Sequence, residues 1–361
     1  MTDKLVIGLL SGTSRDGVDA VLVNFTRRSM DLLHAQCTPY PAAIKKTLDQ
    51  LIESRRPPTP DMARLLDETL GHFFARVAQD LAREAGMEMR DISAIGSHGQ
   101  NVWHAPMADT PVSIQLGDGR LMARNTGVPV VTDFRSADIA AGGRGAPLAP
   151  LLHRELFYEQ GEDRAIVNFG GIAKLTLLPA RGPVTGFDSG PGHCLMDAWT
   201  IRHLQKPHDE AGSWAARGKV DTQLLEKLLQ DPYFSRPSPK STGLEHFNMD
   251  WLKSMLAGNA PGATDVQATL AELTALTIAR SLQANPLPKR LLVCGGGAHN
   301  TFLLGRIAAA LPEVVVDTTT RYGADPDWVE GLLFAWLARE RLAGRVLDTA
   351  TITGAAHPVL L

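Results

Sequence analysis

The chain has 361 residues, of which 44% are hydrophobic and 21% are charged, and its formal net charge is −3. This composition is typical of a soluble globular protein, and the length predicts two domains or lobes. A charge so close to zero gives no electrostatic reason to expect binding to nucleic acid or to an anionic membrane. We find no transmembrane stretch, and Cys37, Cys194 and Cys294 are too scattered for a disulfide framework. The sequence therefore predicts a cytoplasmic protein.

The first forty residues predict a three-stranded antiparallel meander, with strands at 5–10, 18–24 and 30–37. The turn between the first two strands is Ser11-Gly12-Thr13-Ser14-Arg15-Asp16-Gly17. It is not a Walker loop, because no Gly-Lys-Ser/Thr follows and no helix begins after it. Its two glycines would allow backbone amides to approach a ligand closely.

A long amphipathic helix is predicted to begin at Thr59, where an N-cap, a proline and an acidic residue follow one another. Three strands follow, at 92–95, 112–116 and 128–131. The segments that end them are polar or rich in glycine: 96–100, 117–119 and 132–135. Because ligands of α/β sheets bind at the carboxyl ends of strands, these segments are predicted to line a cleft.

The second half repeats the pattern of the first. Residues 140–150 are the most loop-like segment and predict a junction between lobes. Strands at 165–168, 172–178 and 184–187 follow, and Gly170-Gly171 forms the turn between the first two. Each half thus begins with strand, glycine turn, strand, strand and helix, which predicts a duplicated α/β unit. We predict an N-terminal lobe of residues 1–140 and a C-terminal lobe of residues 141–361.

Asp188 follows the last of these strands, within the turn Gly186–His193. Two glycines and a proline come after it, and a helical pattern begins near Leu195. A carboxylate held at a strand end, close to backbone amides and a helix start, is suited to act as a base beside an anion site. It is equally suited to cap the helix. These residues alone leave both roles open.

A triple glycine, Gly295-Gly296-Gly297, follows a buried strand at 290–294. One glycine turn is weak evidence, because tight turns need glycine for geometry alone. The order of the three turns is more informative. It matches a nucleotide site in which two hairpin turns bind the phosphates and a glycine turn lies beneath the adenine ring. This order resembles the actin-like ATPase superfamily. The implied fold class is α/β, with two lobes of duplicated ribonuclease H-like units and the nucleotide in the interlobe cleft.

Six motifs make the resemblance narrower. In chain order they are Gly8–Asp19, Gly96–Gln100, Asp133–Arg135, Ala141–Pro147, Gly186–Gly192 and Lys240–Gly243. Their wording and order, over nearly the whole chain, are similar to the anhydro-N-acetylmuramic acid kinase family. The resemblance implies an enzyme of peptidoglycan recycling that uses ATP and water to convert 1,6-anhydro-N-acetylmuramic acid into N-acetylmuramic acid 6-phosphate.

The resemblance also implies roles for individual residues. Asp188 is expected to activate the attacking water. The residues expected to bind ATP are Gly12, Thr13, Ser14, Arg15, Asp16, Gly17, Val18, Asp19, Gly170, Gly171, Gly295, Gly296 and Gly297. Mg²⁺ is expected on the phosphates. Asp16 is the candidate metal ligand, or else only a side chain that stabilises the turn.

Other residues have two interpretations each. Glu330 is a second catalytic carboxylate or serves the dipole of the last helix. Arg135 binds the lactyl carboxylate of the sugar or forms a structural salt bridge. His98 orients a sugar hydroxyl or a loop, and Asp133 is assigned to the substrate with it. The segment Lys240–Gly243 is a substrate or lid loop, or a solvated turn.

Arg15, Lys174 and His193 depart from the family pattern. Arg15 and Lys174 either add positive charge near the phosphates or are solvated. Two other functions stay open: a simple sugar kinase acting on a free hydroxyl, and a non-catalytic, ATP-gated sugar sensor. The expected partner is a small amino sugar, with no nucleic acid and no membrane. The resemblance also suggests a homodimer.

Overall fold

The computed structural model of the protein describes residues 4–12, 15, 17–27, 29–54, 56–105, 112–258 and 261–361. The strands of these residues are β1 (Lys4–Ser11), β2 (Gly17–Phe25), β3 (Met30–Pro39), β4 (Ile92–Ala105), β5 (Val112–Leu116), β6 (Val130–Val131), β7 (Arg164–Phe169), β8 (Ile172–Leu178), β9 (Thr185–Pro191), β10 (Arg290–Cys294) and β11 (Val315–Thr318). The helices are α1 (Ala42–Glu53), α2 (Pro60–Glu84), α3 (Gly119–Thr126), α4 (Ser136–Ala140), α5 (Ala149–Phe157), α6 (Cys194–Leu204), α7 (Thr222–Leu229), α8 (Met249–Leu256), α9 (Ala263–Gln283), α10 (Thr301–Ala310) and α11 (Val329–Leu342). In this part of the chain, no helix is long and apolar enough to span a membrane.

Two sheets share one topology. The first has the order β3-β2-β1-β4-β5, and β6 also pairs with β4; the second has the order β11-β10-β7-β8-β9. In each, three successive strands form an antiparallel meander, and a parallel strand joins the first of them: β4 beside β1, and β10 beside β7. A second parallel strand follows, β6 or β11. The predicted duplicated α/β unit is therefore confirmed.

The chain divides into two compact units, Met1–Leu152 with Trp328–Leu361, and His153–Asp327. The predicted lobes, 1–140 and 141–361, differ from these units in two ways: residues 141–152 belong to the first unit, and α11 returns to the first sheet. Glycines let the helix lie close to the strands, since a Cβ at Gly8 would collide with the carbonyl oxygen of Gly331. The same holds for Gly96 and the carbonyl oxygen of Phe334.

Each unit has its own apolar core. In the first, α2 buries Leu70, Phe74 and Ala78 beside sheet residues such as Ile7 and Ile95. The predicted N-cap is present, because the Thr59 side chain accepts from the Met62 amide. In the second unit, α9 is buried along most of its length and packs with α6, α7 and α10 on the second sheet.

Two predicted strand ends are wrong. We predicted that a strand stops at Ile95, whereas β4 continues to Ala105, because antiparallel β5 supplies backbone partners from Gln100 onward. The segment 96–100 therefore lies within a strand. Likewise β9 does not stop before Asp188 but continues to Pro191, because β8 pairs with it along this stretch.

Candidate active site

Asp188 lies within β9 of the second unit and is only 7% exposed. One oxygen of its carboxylate, Oδ2, accepts two hydrogen bonds, from the Ser241 hydroxyl at 2.9 Å and from the Thr242 amide at 3.0 Å. The predicted alternative, in which Asp188 caps the following helix, is not what the structure shows. Helix α6 begins only at Cys194, and no side-chain hydrogen bond caps it. The carboxylate is held by a distant loop instead.

That loop, Lys240–Gly243, is fastened to β9 through main-chain groups as well. The Asp188 amide donates to the Lys240 carbonyl at 3.0 Å, and the Tyr233 hydroxyl donates to the Asp188 carbonyl at 2.7 Å. The Lys240 ammonium donates to the carbonyls of Tyr233 and Phe234 and lies 4.8 Å from the centre of the Tyr233 ring. Asp188 is thus fixed at its amide, its carbonyl and one carboxylate oxygen.

Burial raises the pKa of the Asp188 carboxyl above its ordinary value. The charge of Lys174 opposes this rise, as do the Thr242 amide and the Ser241 hydroxyl, while Glu245 adds to it. Lys174 is the cross-strand partner of Asp188 in β8. One of the three departures from the family pattern therefore acts on the charge state of Asp188. An ionised but only lightly solvated carboxylate can accept a proton from water.

The first unit brings together His98, Arg135 and Glu330, which the sequence predicted as separate site residues. Strand β6 pairs with β4 as far as Gly96, so Arg135, which follows β6, lies beside β4. Its Nη2 atom is 2.8 Å from His98 Nε2. Arg135 Nη1 donates to the Ser113 hydroxyl at 3.3 Å and lies 3.4 Å from His104 Nδ1. Glu330, in the first turn of α11, adds its negative charge to the surroundings of Arg135. Asp133 is exposed, and its carboxylate accepts a hydrogen bond from the Ser136 amide; no hydrogen bond from Asp133 to these residues is found in the described chain.

Hydrogen bonding defines the state of His98. Its Nδ1 lies 3.1 Å from the Gly99 carbonyl oxygen, which can only accept. Nδ1 therefore carries the hydrogen and Nε2 accepts from Arg135. Burial, and then the charge of Arg135, lower the pKa of His98 well below its ordinary value, so the ring is neutral. The same two causes lower the pKa of His104 to about 4.

The two histidines beside the Arg135 guanidinium are therefore neutral. Burial lowers the pKa of Arg135 to about 10, and Glu330 opposes that shift, so the guanidinium stays charged at neutral pH. Its Nε is buried, and no hydrogen-bond partner for it is found among the described residues. In the same part of the chain, no carboxylate forms an ion pair with this arginine. The predicted structural salt bridge of Arg135 is thus not found among these residues.

The glycine turns differ in what their glycines do. A Cβ at Gly17, Gly295 or Gly297 would collide with neighbouring strands, so packing alone requires glycine there. A Cβ at Gly296 would meet nothing within 4 Å, and at Gly170 the nearest atom would be 3.6 Å away. The carbonyls of Gly170 and Gly171 accept from the amides of residues 192–194, which joins this turn to the strand that carries Asp188.

The first turn is only partly described. Thr13, Ser14 and Asp16 lie outside the described residues, as does the metal site predicted at Asp16. Gly12 follows β1, while Gly17, Val18 and Asp19 begin β2. Arg15 Nε donates to Asp49 Oδ1 at 2.8 Å. His193 Nδ1 similarly lies 2.7 Å from Asp197 Oδ2. No group of three or more His, Cys, Asp or Glu side chains able to hold a metal is found in the described part.

Comparison with known proteins decides the family. The family model "Anhydro-N-acetylmuramic acid kinase" matches residues 4–361. The chain belongs to the anhydro-N-acetylmuramic acid kinase family. It is 46% identical to the protein of that name from Xanthomonas oryzae pv. oryzae (strain MAFF 311018) over 361 residues, which are 99% of this chain and 96% of that protein. It is 44% identical to the Xylella fastidiosa protein of the same name, over 97% of this chain and 93% of that protein.

Membership of the anhydro-N-acetylmuramic acid kinase family confirms the prediction from the six motifs, and with it the prediction of a kinase. Solved structures are more distant. An activator of 2-hydroxyisocaproyl-CoA dehydratase from Clostridium difficile has a TM-score of 0.49 at 12% identity, over 94% of this chain and 96% of that one. A ROK family glucokinase from Streptomyces griseus has a TM-score of 0.42 at 15% identity, over 93% and 99%. Neither likeness supports an argument about this site.

Sequence reasoning missed the partners of its main residue. Ser241 and Thr242 lie in a motif that was left open between a substrate loop and a solvated turn, and Tyr233 had no signal. Their distance from Asp188 along the chain, 45 to 54 residues, hides the contact. Ser113 and His104, which complete the surroundings of Arg135, were missed for the same reason.

Proposed function

We propose that this enzyme opens 1,6-anhydro-N-acetylmuramic acid with water and transfers the γ-phosphoryl group of ATP to the freed oxygen. The product is N-acetylmuramic acid 6-phosphate, and the reaction serves peptidoglycan recycling. The opening of the sugar by water is supported by the state of Asp188. Its carboxylate is buried, has a raised pKa and accepts hydrogen bonds at Oδ2 alone among the described residues. The family assignment supports the phosphoryl transfer.

Asp188 is the general base in this proposal. Both hydrogen bonds to its carboxylate go to Oδ2, and none to Oδ1 is found within the described chain. Oδ1 is therefore the oxygen that accepts the proton of water. A base works best when its pKa lies closer to the working pH, and burial moves the pKa of Asp188 in that direction.

The phosphoryl donor is ATP, and the glycine turns fit its phosphates and adenosine. Open space around Gly170 and Gly296 leaves these stretches of backbone free to approach a ligand. Mg²⁺ would neutralise the charge of the β- and γ-phosphates. Asp16 remains the candidate ligand.

Arg135 binds the lactyl carboxylate of the sugar. Its guanidinium is charged, surrounded by neutral histidines, and has a buried Nε without a partner in the described chain. A carboxylate would complete its hydrogen bonds. His98 and Asp133 are assigned to the same substrate, His98 because it orients Arg135. Glu330 is the second carboxylate of the reaction, near enough to act on the charge of Arg135.

A substitution of Asp188 tests the proposal. Asp188→Asn keeps the shape but cannot accept the proton, and loss of a general base lowers kcat by about 10²- to 10⁴-fold. The assay follows product formation from the anhydro sugar, ATP and Mg²⁺. Asp250→Asn is the control, because that carboxylate is 88% exposed on α8 of the same unit. Full turnover by the Asp188 variant would exclude it as the base.

Two further expectations belong to the proposal. We place the enzyme in the cytoplasm, where ATP is available; its three scattered cysteines, without a Cys-x-x-Cys spacing, suit a reducing compartment. A homodimer follows only from the family resemblance, and sedimentation at micromolar concentration tests it.

A further inference from the structure

The Lys240–Gly243 loop holds Asp188 but leaves one of its own polar groups unused. The Thr242 hydroxyl is buried, and it has no hydrogen-bond partner in the part of the chain that the structure describes. The amide of the same residue donates to Asp188 Oδ2 at 3.0 Å. A buried hydroxyl without a partner destabilises the fold unless water or a ligand completes it. The hydroxyl therefore points to a ligand beside Asp188.

Geometry limits what that ligand can be. Thr242 Oγ1 is only three covalent bonds from the amide that touches the carboxylate, so a single water bound to Asp188 is within its reach. The loop cannot move away freely, because Ser241, the Lys240 carbonyl and the Lys240 ammonium all tie it to β9 and Tyr233. Oδ2 is already occupied by the loop, so the water lies at Oδ1.

We infer that the Thr242 hydroxyl is the second protein ligand of the water that Asp188 activates. This inference rests on the proposed function and adds a catalytic residue to it. The water gives one hydrogen to Asp188 Oδ1 and the other to Thr242 Oγ1, since a hydroxyl can accept as well as donate. With both hydrogens bound, a lone pair of the water oxygen is left to face the anomeric carbon of the sugar.

The bonds balance in this step. The water oxygen forms a bond to the anomeric carbon, and the bond from that carbon to the bridging oxygen breaks. One proton passes to Asp188, and the freed oxygen takes the γ-phosphoryl group of ATP, which leaves ADP. Thr242 exchanges no proton in the step; it orients the water and touches neither the phosphates nor the sugar ring.

The test compares Thr242→Val with Thr242→Ser. Valine keeps the shape of threonine without the hydroxyl, while serine restores the hydroxyl. Thr222→Val is the control, because it makes the same chemical change at an exposed position of the same unit. We expect kcat to fall about 10- to 100-fold in Thr242→Val, with KM for the anhydro sugar and for ATP within twofold. Thr242→Ser should recover most of the rate.

The pH profile separates orientation of water from damage to the loop. The Thr242 amide still donates to Oδ2 in the valine variant, so the acid limb of kcat/KM should stay in place. Melting temperatures of the variants check that each one folds. A kcat within twofold of wild type would overturn the inference. So would a raised KM for the sugar at unchanged kcat, which would assign the hydroxyl to the sugar, or a displaced acid limb without recovery by serine.

Failure of the proposed function has a different signature. If wild-type enzyme forms product in H₂¹⁸O without a heavy oxygen on the anomeric carbon, no water attacks there, and both ideas fall. If the wild type incorporates the label and only the Thr242 prediction fails, the proposed function stands.

Discussion

Removal of the Ser241 hydroxyl should move the pH dependence of the reaction. The hydroxyl donates to Asp188 Oδ2 at 2.9 Å and stabilises the ionised carboxylate. In Ser241→Ala that bond is lost, while the Thr242 amide keeps its own bond to the same oxygen. The ionised form of Asp188 is then less stable relative to the protonated form, so the pKa of Asp188 rises further above its ordinary value.

The size of the shift follows from the bond. A hydrogen bond to a charged group contributes about 1.5–3 kcal/mol. Ser241 is exposed, so water replaces part of the lost bond, and the lower end of that range applies. With 1.36 kcal/mol for each pKa unit, the pKa of Asp188 should rise by about one unit. Because the base must be ionised, the acid limb of kcat/KM should move about one unit to higher pH, while the rate at high pH changes little.

The assay is kcat/KM against pH for wild type, Ser241→Ala and Ser235→Ala. The Ser235 hydroxyl donates to the Pro232 carbonyl at 2.9 Å, so its loss changes a nearby exposed serine without touching Asp188. An acid limb of Ser241→Ala that coincides with that of the control would refute this expectation. A shift to lower pH would refute it as well.

Three more predictions follow from the described contacts. Lys174→Asn removes a charge that lowers the pKa of Asp188, so the acid limb of kcat/KM should move to higher pH by up to about one unit, whereas Lys174→Arg should leave it in place. Arg135→Gln should raise KM for the anhydro sugar about 10- to 100-fold with little change in KM for ATP, and Arg120→Gln, an exposed arginine of the same unit, should raise neither. His153 is buried, and burial lowers its pKa to about 3, so as the pH falls below about 6.5 the unfolded chain binds a proton at this residue before the folded protein does. Between pH 7.5 and pH 5 the unfolding free energy of wild type should therefore fall by about 2 kcal/mol more than that of His153→Gln. Urea titrations at both pH values measure this, and an equal fall in the two proteins would contradict it.

Local patterns in the sequence predicted the fold well. Glycine turns after apolar runs mark the hairpins β1–β2 and β7–β8, because both need residues that tolerate tight turns. The repeated order of strands then identifies the duplication. Local patterns could not show where the chain returns to the first sheet. Helix α11 packs closely on β1 because of Gly8, which lies more than 300 residues before the helix in the chain.

In the candidate site too, local patterns identified single residues but not their contacts. Asp188 stood out because a carboxylate among glycines is unusual at the end of an apolar run. Its partners did not, because Tyr233 and Ser241 come from a polar, irregular stretch and meet it only through tertiary structure. Arg135 and His98 were each recognised as polar residues after strands, yet only the parallel pairing of β4 with β6 brings them together.

The measurement closest to the central claim is the mass of the product formed in H₂¹⁸O, read before the anomeric oxygen exchanges with solvent. If Asp188 activates water at the anomeric carbon while ATP captures the freed oxygen, the wild-type product carries one phosphoryl group and one heavy oxygen on that carbon. Asp188→Asn should form this product at least about 10²-fold more slowly. A phosphorylated product without the heavy oxygen, or an equal rate in the Asp188 variant, would contradict the account.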